Sequence, residues 1–145
     1  MNGVNVLTRW RGGAPYALSA VRIVAAFTFM QSGAAKLFAF PVSLVPGGGT
    51  VTLWSLLGLA GVLEVFGGFL VLIGLFTRPV AFVLSGQMAV AYFMGHAGRG
   101  FWTVANQGTA AVLFCFLWLY LSAAGPGPWS LDALLGRRGA APSHR

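Results

Sequence analysis

The stretch VTLWSLLGLAGVLEVFGGFLVLIGLF, residues 51–76, decides the fold, because it is a long apolar run with a single charged side chain, Glu64. A helix needs roughly 20 apolar residues to cross the hydrocarbon core of a bilayer, and this run supplies them. The whole chain is 57% hydrophobic and 8% charged, whereas soluble proteins are about 25% charged. We therefore predict an integral membrane protein. A carboxylate at that depth is costly, so Glu64 marks either an internal ion pair or a working site.

Three further apolar stretches flank this run. The predicted spans are residues 16–38, 52–76, 80–96 and 104–124. Short connections rich in proline and glycine separate them, and these favour antiparallel neighbours. The sequence thus predicts an all-α, four-helix up-and-down membrane bundle that forms one domain over residues 1–138. Residues 130–136 are expected to form a short amphipathic helix at the membrane interface, with Ser130 as its N-cap, before a disordered tail at 139–145.

The arginines predict the orientation. With four spans, both termini lie on one side, which carries Arg9, Arg11, Arg78, Arg137, Arg138 and Arg145, whereas the other side carries Lys36 and Arg99. The positive-inside rule then places both termini in the cytoplasm. The net charge of +7 is explained as a topology signal, and nucleic-acid binding is set aside.

Two helices carry polar stripes at helical spacing. The stripe on the first helix consists of Ser19, Arg22, Ala26, Phe29, Gly33 and Lys36. The stripe on the second helix, Gly61, Glu64 and Gly68, carries glycines that permit close backbone approach, so we expect the Glu64 face to pack against protein.

Glu64 has two explanations. It can pair with Arg22, or with Lys36 reaching inward, and serve only to fix the helix register, because a buried charge without a partner is strongly disfavoured. We take Arg22 and Glu64 as the predicted ion pair. Alternatively, these groups line a pocket for a polar head group such as a quinone, in which His or Lys donates hydrogen bonds to carbonyl oxygens and Glu64 is the candidate catalytic carboxylate. The candidate ligand-binding residues are Arg22, Lys36, Glu64, Tyr92, His96 and Asn106.

The cysteine and histidine content restricts the chemistry. Cys115 is the single cysteine, so neither an intrachain disulfide nor a Cys-x-x-Cys redox pair can form. His96 is the one histidine within the predicted bundle. A haem site with two histidine ligands from one chain is therefore not expected, and no metal site is predicted.

Several short segments occur in a fixed order along the chain. These are VRI at 21–23 with GAAKL at 33–37, GVLEVFGG at 61–68 followed by Gly74 and Thr77-Arg78, residues 88–96, NQG at 106–108 and GPGPWSLD at 125–132. As an ordered set, they resemble the DoxX family of small bacterial membrane proteins. The resemblance implies a four-helix protein of the bacterial inner membrane. It also implies that Arg22, Lys36, Glu64, Arg78, His96, Asn106 and Asp132 occupy positions typical of the family.

The family resemblance also implies a link to redox metabolism. The family is named for an association with a terminal quinol oxidase and is similar to the DoxD subunit of thiosulfate:quinone oxidoreductase. Mycobacterial members are linked to a membrane oxidoreductase complex with superoxide dismutase and a sulfurtransferase. Because one cysteine cannot run dithiol chemistry alone, an enzymatic role would be that of a quinone-linked oxidoreductase subunit rather than a self-contained enzyme, with quinone as the expected cofactor.

Two other functions fit the same sequence. One is a non-enzymatic scaffold that recruits soluble redox enzymes to the cytoplasmic face, with Arg78, Trp129 and Asp132 as the predicted partner contacts. The other is a small-solute transporter, which would require a homo-oligomer because four short helices are few for a transport path. Glycine-rich helix faces can support such an oligomer.

Overall fold

The computed structural model describes residues 3–139, and the side chains of residues 12–136. Its helices are α1 (Gly3–Phe38), α2 (Leu56–Ile73), α3 (Thr77–Gly95), α4 (Thr109–Ala124) and α5 (Leu131–Gly139), with one 3₁₀ turn at Ala97–Arg99. The described part of the chain contains no strand. The predicted all-α fold class is confirmed.

The apolar helices have different lengths. The segments Gly12–Phe38, Leu56–Ile73 and Thr77–Arg99 are long and apolar enough to cross a membrane. In contrast, α4 has 16 residues, which is about 24 Å at 1.5 Å per residue, against a hydrocarbon core of about 30 Å. The protein is a helical membrane bundle of three long helices and one shorter apolar helix.

The ends of α2 differ from the predicted span because local caps set them. The side-chain oxygen of Ser55 accepts a hydrogen bond from the backbone N–H of Gly58, so the helix begins at Leu56 rather than at Thr52. At its other end Gly74 adopts a left-handed conformation with φ of 70°. Glycine reaches this conformation without the steric penalty that a Cβ would bring.

The fourth helix begins later than the predicted residue 104. The side chain of Asn106 accepts a hydrogen bond from the backbone N–H of Gly108 at 2.8 Å, and Gln107 between them has φ of 59°. This turn precedes Thr109, the first residue of α4. The apolar composition of the segment predicts a helix from residue 104, but the Asn106 side chain hydrogen-bonds to the backbone and stabilises a non-helical turn.

The remaining boundaries also shift. α1 begins upstream of the predicted residue 16 and includes Pro15, whereas α3 begins at Thr77. The helix predicted near the C-terminus is present as α5, and the predicted cap is confirmed, since the side-chain oxygen of Ser130 accepts the backbone N–H of Ala133 at 3.2 Å. Of the predicted tail, the structure describes Gly139 as the last residue of α5, and the rest lies outside the described residues.

Helices α1 and α2 pack closely along a glycine face. A Cβ on Gly33 would lie 2.8 Å from the carbonyl oxygen of Gly61 and from the Cβ of Glu64. Gly68 in turn faces the side chain of Met30. The Glu64 face of α2 therefore packs against protein, as the glycine spacing predicts.

Helices α3 and α4 form a second closely packed pair. The hydroxyl of Ser85 donates to the backbone carbonyl of Cys115 at 2.8 Å. The two pairs meet where Phe29 packs against Phe114 and Trp118, with ring centroids 5.2 Å apart in both contacts. This aromatic cluster closes the centre of the bundle and leaves a cavity beside it.

Candidate functional site

The centre of the candidate site is an ion pair between α1 and α2. The Nζ of Lys36 donates to Oε2 of Glu64 at 2.5 Å and to the hydroxyl oxygen of Ser32 at 2.9 Å. The side chains of Lys36 and Glu64 are 15% and 3% exposed. Glu64 lies in a π-helical turn, Leu63–Gly67, a local widening of an α-helix that is frequent at functional sites.

Gln87 connects this ion pair to α3. Its Nε2 donates to Oε1 of Glu64 at 3.2 Å and to the backbone carbonyl of Ala60 at 3.3 Å. Its Oε1 is buried and has no hydrogen-bond partner within the described residues. Three helices thus meet at one polar network, which we call the polar wall and define as Ser32, Lys36, Glu64 and Gln87.

The prediction that Arg22 pairs with Glu64 is wrong. The guanidinium of Arg22 is fully buried and donates to backbone carbonyls of Val71, Leu72, Pro126 and Trp129, at 2.5 Å for Leu72 and 2.8 Å for Pro126. Four backbone carbonyl oxygens surround this cation, and none of them carries a net charge. Two of the four lie at the C-terminal end of α2. The carbonyls at a helix C-terminus carry partial negative charge, which favours a cation there.

The choice of partner follows from the direction in which helical side chains point. Side chains on an α-helix lean toward its N-terminus. Lys36, at the C-terminal end of α1, therefore reaches back to Glu64 in the middle of α2. Arg22 contacts Val71, which lies seven residues from Glu64, about 10 Å along the helix. To pair with Glu64, the Arg22 side chain would have to extend toward the C-terminus of α1, against the direction in which helical side chains lean. The alternative pairing with Lys36 is the one the structure contains.

A cavity of about 830 Å³ lies between the helices, with the polar wall on one side. Apart from the polar wall, Thr28 and His96, its lining is apolar and consists of Phe29, Leu56, Leu57, Leu59, Ala60, Leu63, Val83, Met88, Val90, Ala91, Met94, Gly95, Ala110, Ala111 and Phe114. Several lining side chains are also exposed on the outside of the bundle, Leu57 and Met94 among them, at 58% and 68%. The cavity is therefore open along α2 and α3, where apolar side chains suited to lipid contact surround the opening.

His96 lies at the edge of the cavity and is held by the loop before α4. Its Nδ1 is 3.0 Å from the backbone carbonyl oxygen of Asn106, and since a carbonyl can only accept, Nδ1 carries the proton. The Nδ2 of Asn106 donates to Oη of Tyr92 at 3.3 Å and to the carbonyl of Gly100 at 2.8 Å. The Tyr92 ring lies nearly parallel to the imidazole, with an interplanar angle of 22°. Tyr92 and Asn106 thus brace His96, and His96 alone among the three lines the cavity.

The comparisons with known proteins place the chain in a family. The family model described as DoxX matches residues 17–97. The chain belongs to the DoxX family. The predicted resemblance is confirmed, and the matched region of this DoxX protein includes the whole polar wall and His96.

Two relatives cover nearly the whole chain. An "Uncharacterized protein" of Haemophilus influenzae is 45% identical over 132 residues, which is 89% of this chain and 96% of that protein. An "Uncharacterized membrane protein" of Mycobacterium tuberculosis is 31% identical over 141 residues, which is 88% of this chain and 86% of that protein. No solved structure matches the chain. The DoxX match thus identifies a family of membrane proteins and leaves the chemistry to be argued from the site.

The three predicted partner contacts of this DoxX protein all make contacts within the chain. The guanidinium of Arg78 donates to backbone carbonyls at the end of α4, among them that of Ser122 at 3.3 Å. The carboxylate of Asp132 accepts the backbone N–H groups of Phe76 and Thr77 at 2.9 and 3.0 Å. The ring of Trp129 packs on that of Tyr16, with centroids 5.6 Å apart. Each therefore helps to hold the end of the DoxX bundle that carries α5.

Two members of the polar wall, Ser32 and Gln87, were absent from the predicted site residues. Both are uncharged polar side chains inside predicted spans, and neither belongs to the two polar stripes predicted on the first and second helices. The signal for Gln87 is its position inside the apolar third span, the same argument that selected Glu64. Gln87 lies 23 residues from Glu64 along the chain, so only the packing of α2 against α3 reveals the contact.

Proposed function

We propose that this DoxX protein is a membrane subunit of redox metabolism that binds a ligand of the quinone class in the lateral cavity. The observation that carries the proposal is a mostly apolar cavity with a buried ion pair in its wall. An ion pair that only fixed helix packing would not need an open space beside it. Ligand sites are typically apolar clefts with a few placed polar groups.

The size and the opening of the cavity suit a lipid-soluble ligand. Its volume of about 830 Å³ lies within the usual range of small-molecule sites, about 300–1,000 Å³. The apolar lining fits a substituted ring, and the polar wall meets the oxygens of the head group. Because the mouth opens between lipid-facing side chains such as Leu57 and Met94, an isoprenoid tail can remain in the bilayer while the head group occupies the cavity.

Glu64 is the proposed proton carrier of the site. The lysine ammonium and the glutamate carboxylate together carry no net charge, so the cavity can hold a neutral head group without a large electrostatic penalty. A carboxylate within hydrogen-bond reach of a bound oxygen can accept or return a proton during quinone chemistry. The group that exchanges electrons with the quinone is assigned to a soluble partner enzyme. The chain has one cysteine, so it has no dithiol pair that could do this.

The proposed orientation places both termini in the cytoplasm and the chain in the inner membrane. It rests on the arginine distribution and the positive-inside rule. In this orientation the exposed side chains of Arg78 and Trp129 face the cytoplasm, where they are available to a soluble redox enzyme. Single cysteines introduced at Gly47 and Gly136 in a Cys115→Ala background test it. An impermeant maleimide applied to intact cells is expected to label the first and spare the second.

The ligand proposal is tested by binding of a short-chain quinone to the protein in nanodiscs. Ala60→Phe places a large ring in the cavity and is expected to lower quinone affinity at least tenfold. Ala20→Phe makes the same change on an exposed position of α1 outside the cavity and serves as the matched control. Glu64→Gln is expected to weaken binding of the head group. Equal affinities for all three variants and the wild type would refute the site, and copurification of soluble enzymes without any quinone would favour the scaffold.

A further inference from the structure

We infer that the cavity prefers the reduced, hydroxyl-bearing form of its ligand, a quinol, over the oxidised quinone. This inference rests on the proposed function and adds to it the redox state that the site selects. A quinone presents carbonyl oxygens, which only accept hydrogen bonds, whereas a quinol presents hydroxyl groups, which also donate. The hydrogen-bonding groups that the cavity leaves free therefore decide between the two forms.

Most of the hydrogen-bond donors around the cavity are engaged within the protein. The ammonium of Lys36 has three N–H bonds, and it directs two of them at Glu64 and Ser32. The Nε2 of Gln87 faces the carboxylate of Glu64 and the carbonyl of Ala60. The proton on Nδ1 of His96 points to the carbonyl of the loop. Among the described residues, one N–H of the ammonium and the Ser32 hydroxyl remain free to donate.

Hydrogen-bond acceptors around the cavity remain free to accept further hydrogen bonds. In the neutral imidazole Nε2 of His96 is an acceptor, because Nδ1 carries the proton, and within the described residues it has no partner. Each carboxylate oxygen of Glu64 accepts one described bond and has a further lone pair. Oε1 of Gln87 also has no partner within the described residues, but it is buried and so adds nothing to the acceptors that a ligand can reach. Exchanging the amide oxygen and nitrogen of Gln87 would direct an oxygen at two acceptors, so the amide orientation is determined.

The free groups that line the cavity therefore favour a ligand that donates hydrogen bonds. A quinol hydroxyl that reaches Glu64 or His96 meets a free lone pair, whereas a quinone oxygen in the same place meets another acceptor and loses its bond to water without replacement. One replaced hydrogen bond corresponds to a preference of about fivefold to tenfold. This reverses the expectation from the sequence that His96 and Lys36 donate to quinone carbonyls.

The test compares the two redox forms of one ligand. Decylubiquinol and decylubiquinone are titrated under anaerobic conditions into the protein in nanodiscs, and the ratio of their dissociation constants is measured. The wild type is expected to bind the quinol about five to ten times more tightly. His96→Phe keeps an aromatic ring and removes the acceptor, so it is expected to weaken quinol binding and to bring the ratio of the two dissociation constants closer to one. Gln31→Leu removes an exposed polar group on α1 outside the cavity and is expected to keep the wild-type ratio.

The outcomes separate the two proposals. Binding of neither form would refute the proposed function and the inference together. Equal binding, or tighter binding of the quinone, would overturn the inference and leave the proposed function standing. Displacement of the quinol by equimolar diacylglycerol, a membrane lipid with a free hydroxyl, would show that the acceptors select lipid hydroxyls in general, which also overturns it. The wild-type ratio is informative even if His96→Phe fails to fold.

Discussion

Replacing Lys36 with methionine is expected to leave the Glu64 carboxylate buried without its cation. Methionine matches the length of the aliphatic stem and removes the charge. Because the Glu64 side chain is 3% exposed and the cavity beside it is mostly apolar, solvation of the carboxylate replaces little of the lost contact. Removing one partner of a buried ion pair costs about 3–5 kcal/mol, so the free energy of unfolding is expected to fall by that amount.

The two sides of the pair are not equivalent. The Lys36 side chain is 15% exposed and lies near the end of α1, so after Glu64→Gln its ammonium can turn toward the interface and the loss is expected to be about 1–2 kcal/mol. The double variant Lys36→Met with Glu64→Gln buries no charge at this place. It is expected to lie within about 1 kcal/mol of Glu64→Gln alone, which gives a large coupling energy in a double-mutant cycle.

The assay is SDS-induced unfolding in mixed micelles, followed by circular dichroism. Arg99→Met removes an exposed cation at the same end of the bundle and is the control, with an expected loss below about 0.5 kcal/mol. If Lys36→Met unfolds at the wild-type midpoint, or if the double variant is as unstable as the sum of the single variants, then Lys36 and Glu64 do not depend on each other and the reasoning fails.

Three further predictions use the same unfolding assay. Arg22→Met leaves four backbone carbonyls without their donor and is expected to lower the free energy of unfolding by about 3 kcal/mol or more. Arg78 is exposed, and Arg78→Met is expected to lower it by about 1 kcal/mol. Equal losses of stability would contradict the role of the buried guanidinium. Gly33→Ala places a Cβ 2.8 Å from atoms of α2 and is expected to separate α1 from α2 at a cost of about 1–3 kcal/mol. Gly86→Ala, whose Cβ meets nothing within 4 Å, is the control and is expected to be neutral or stabilising. A larger loss for Gly86→Ala than for Gly33→Ala would contradict the packing. Asp132→Ala removes the carboxylate cap of α3 and is expected to cost about 1–2 kcal/mol, together with faster proteolysis near the start of that helix; unchanged cleavage would show that the cap does not hold it.

The sequence was informative about features that depend on composition and on spacing along one helix. The apolar run around Glu64 identified the membrane class, and the glycines at 61 and 68 identified the face of α2 that packs against α1. The cap at Ser130 follows from its position before the last helix. Each of these features is local, so a single segment contains the information.

Two features that sequence reasoning missed depend on how two segments are offset from each other, and a third depends on a local turn. The partner of Glu64 is Lys36 rather than Arg22 because of the direction in which side chains leave α1 and the level at which α1 meets α2. The contact of Gln87 with Glu64 requires the position of α3 against the π turn of α2. The late start of α4 depends on a turn that Asn106 closes with its own side chain. None of these can be obtained from hydrophobic periodicity.

The central claim is that the lateral cavity holds one lipid-soluble ligand of the quinone class against the polar wall. The most direct measurement is organic-solvent extraction of the protein purified from bacterial membranes, followed by mass spectrometry calibrated against the amount of chain. We predict about one quinone or quinol molecule per chain for the wild type and a strongly reduced amount for Ala60→Phe, because the added ring occupies the same space. Recovery of none from the wild type, or of equal amounts from both proteins, would contradict the claim.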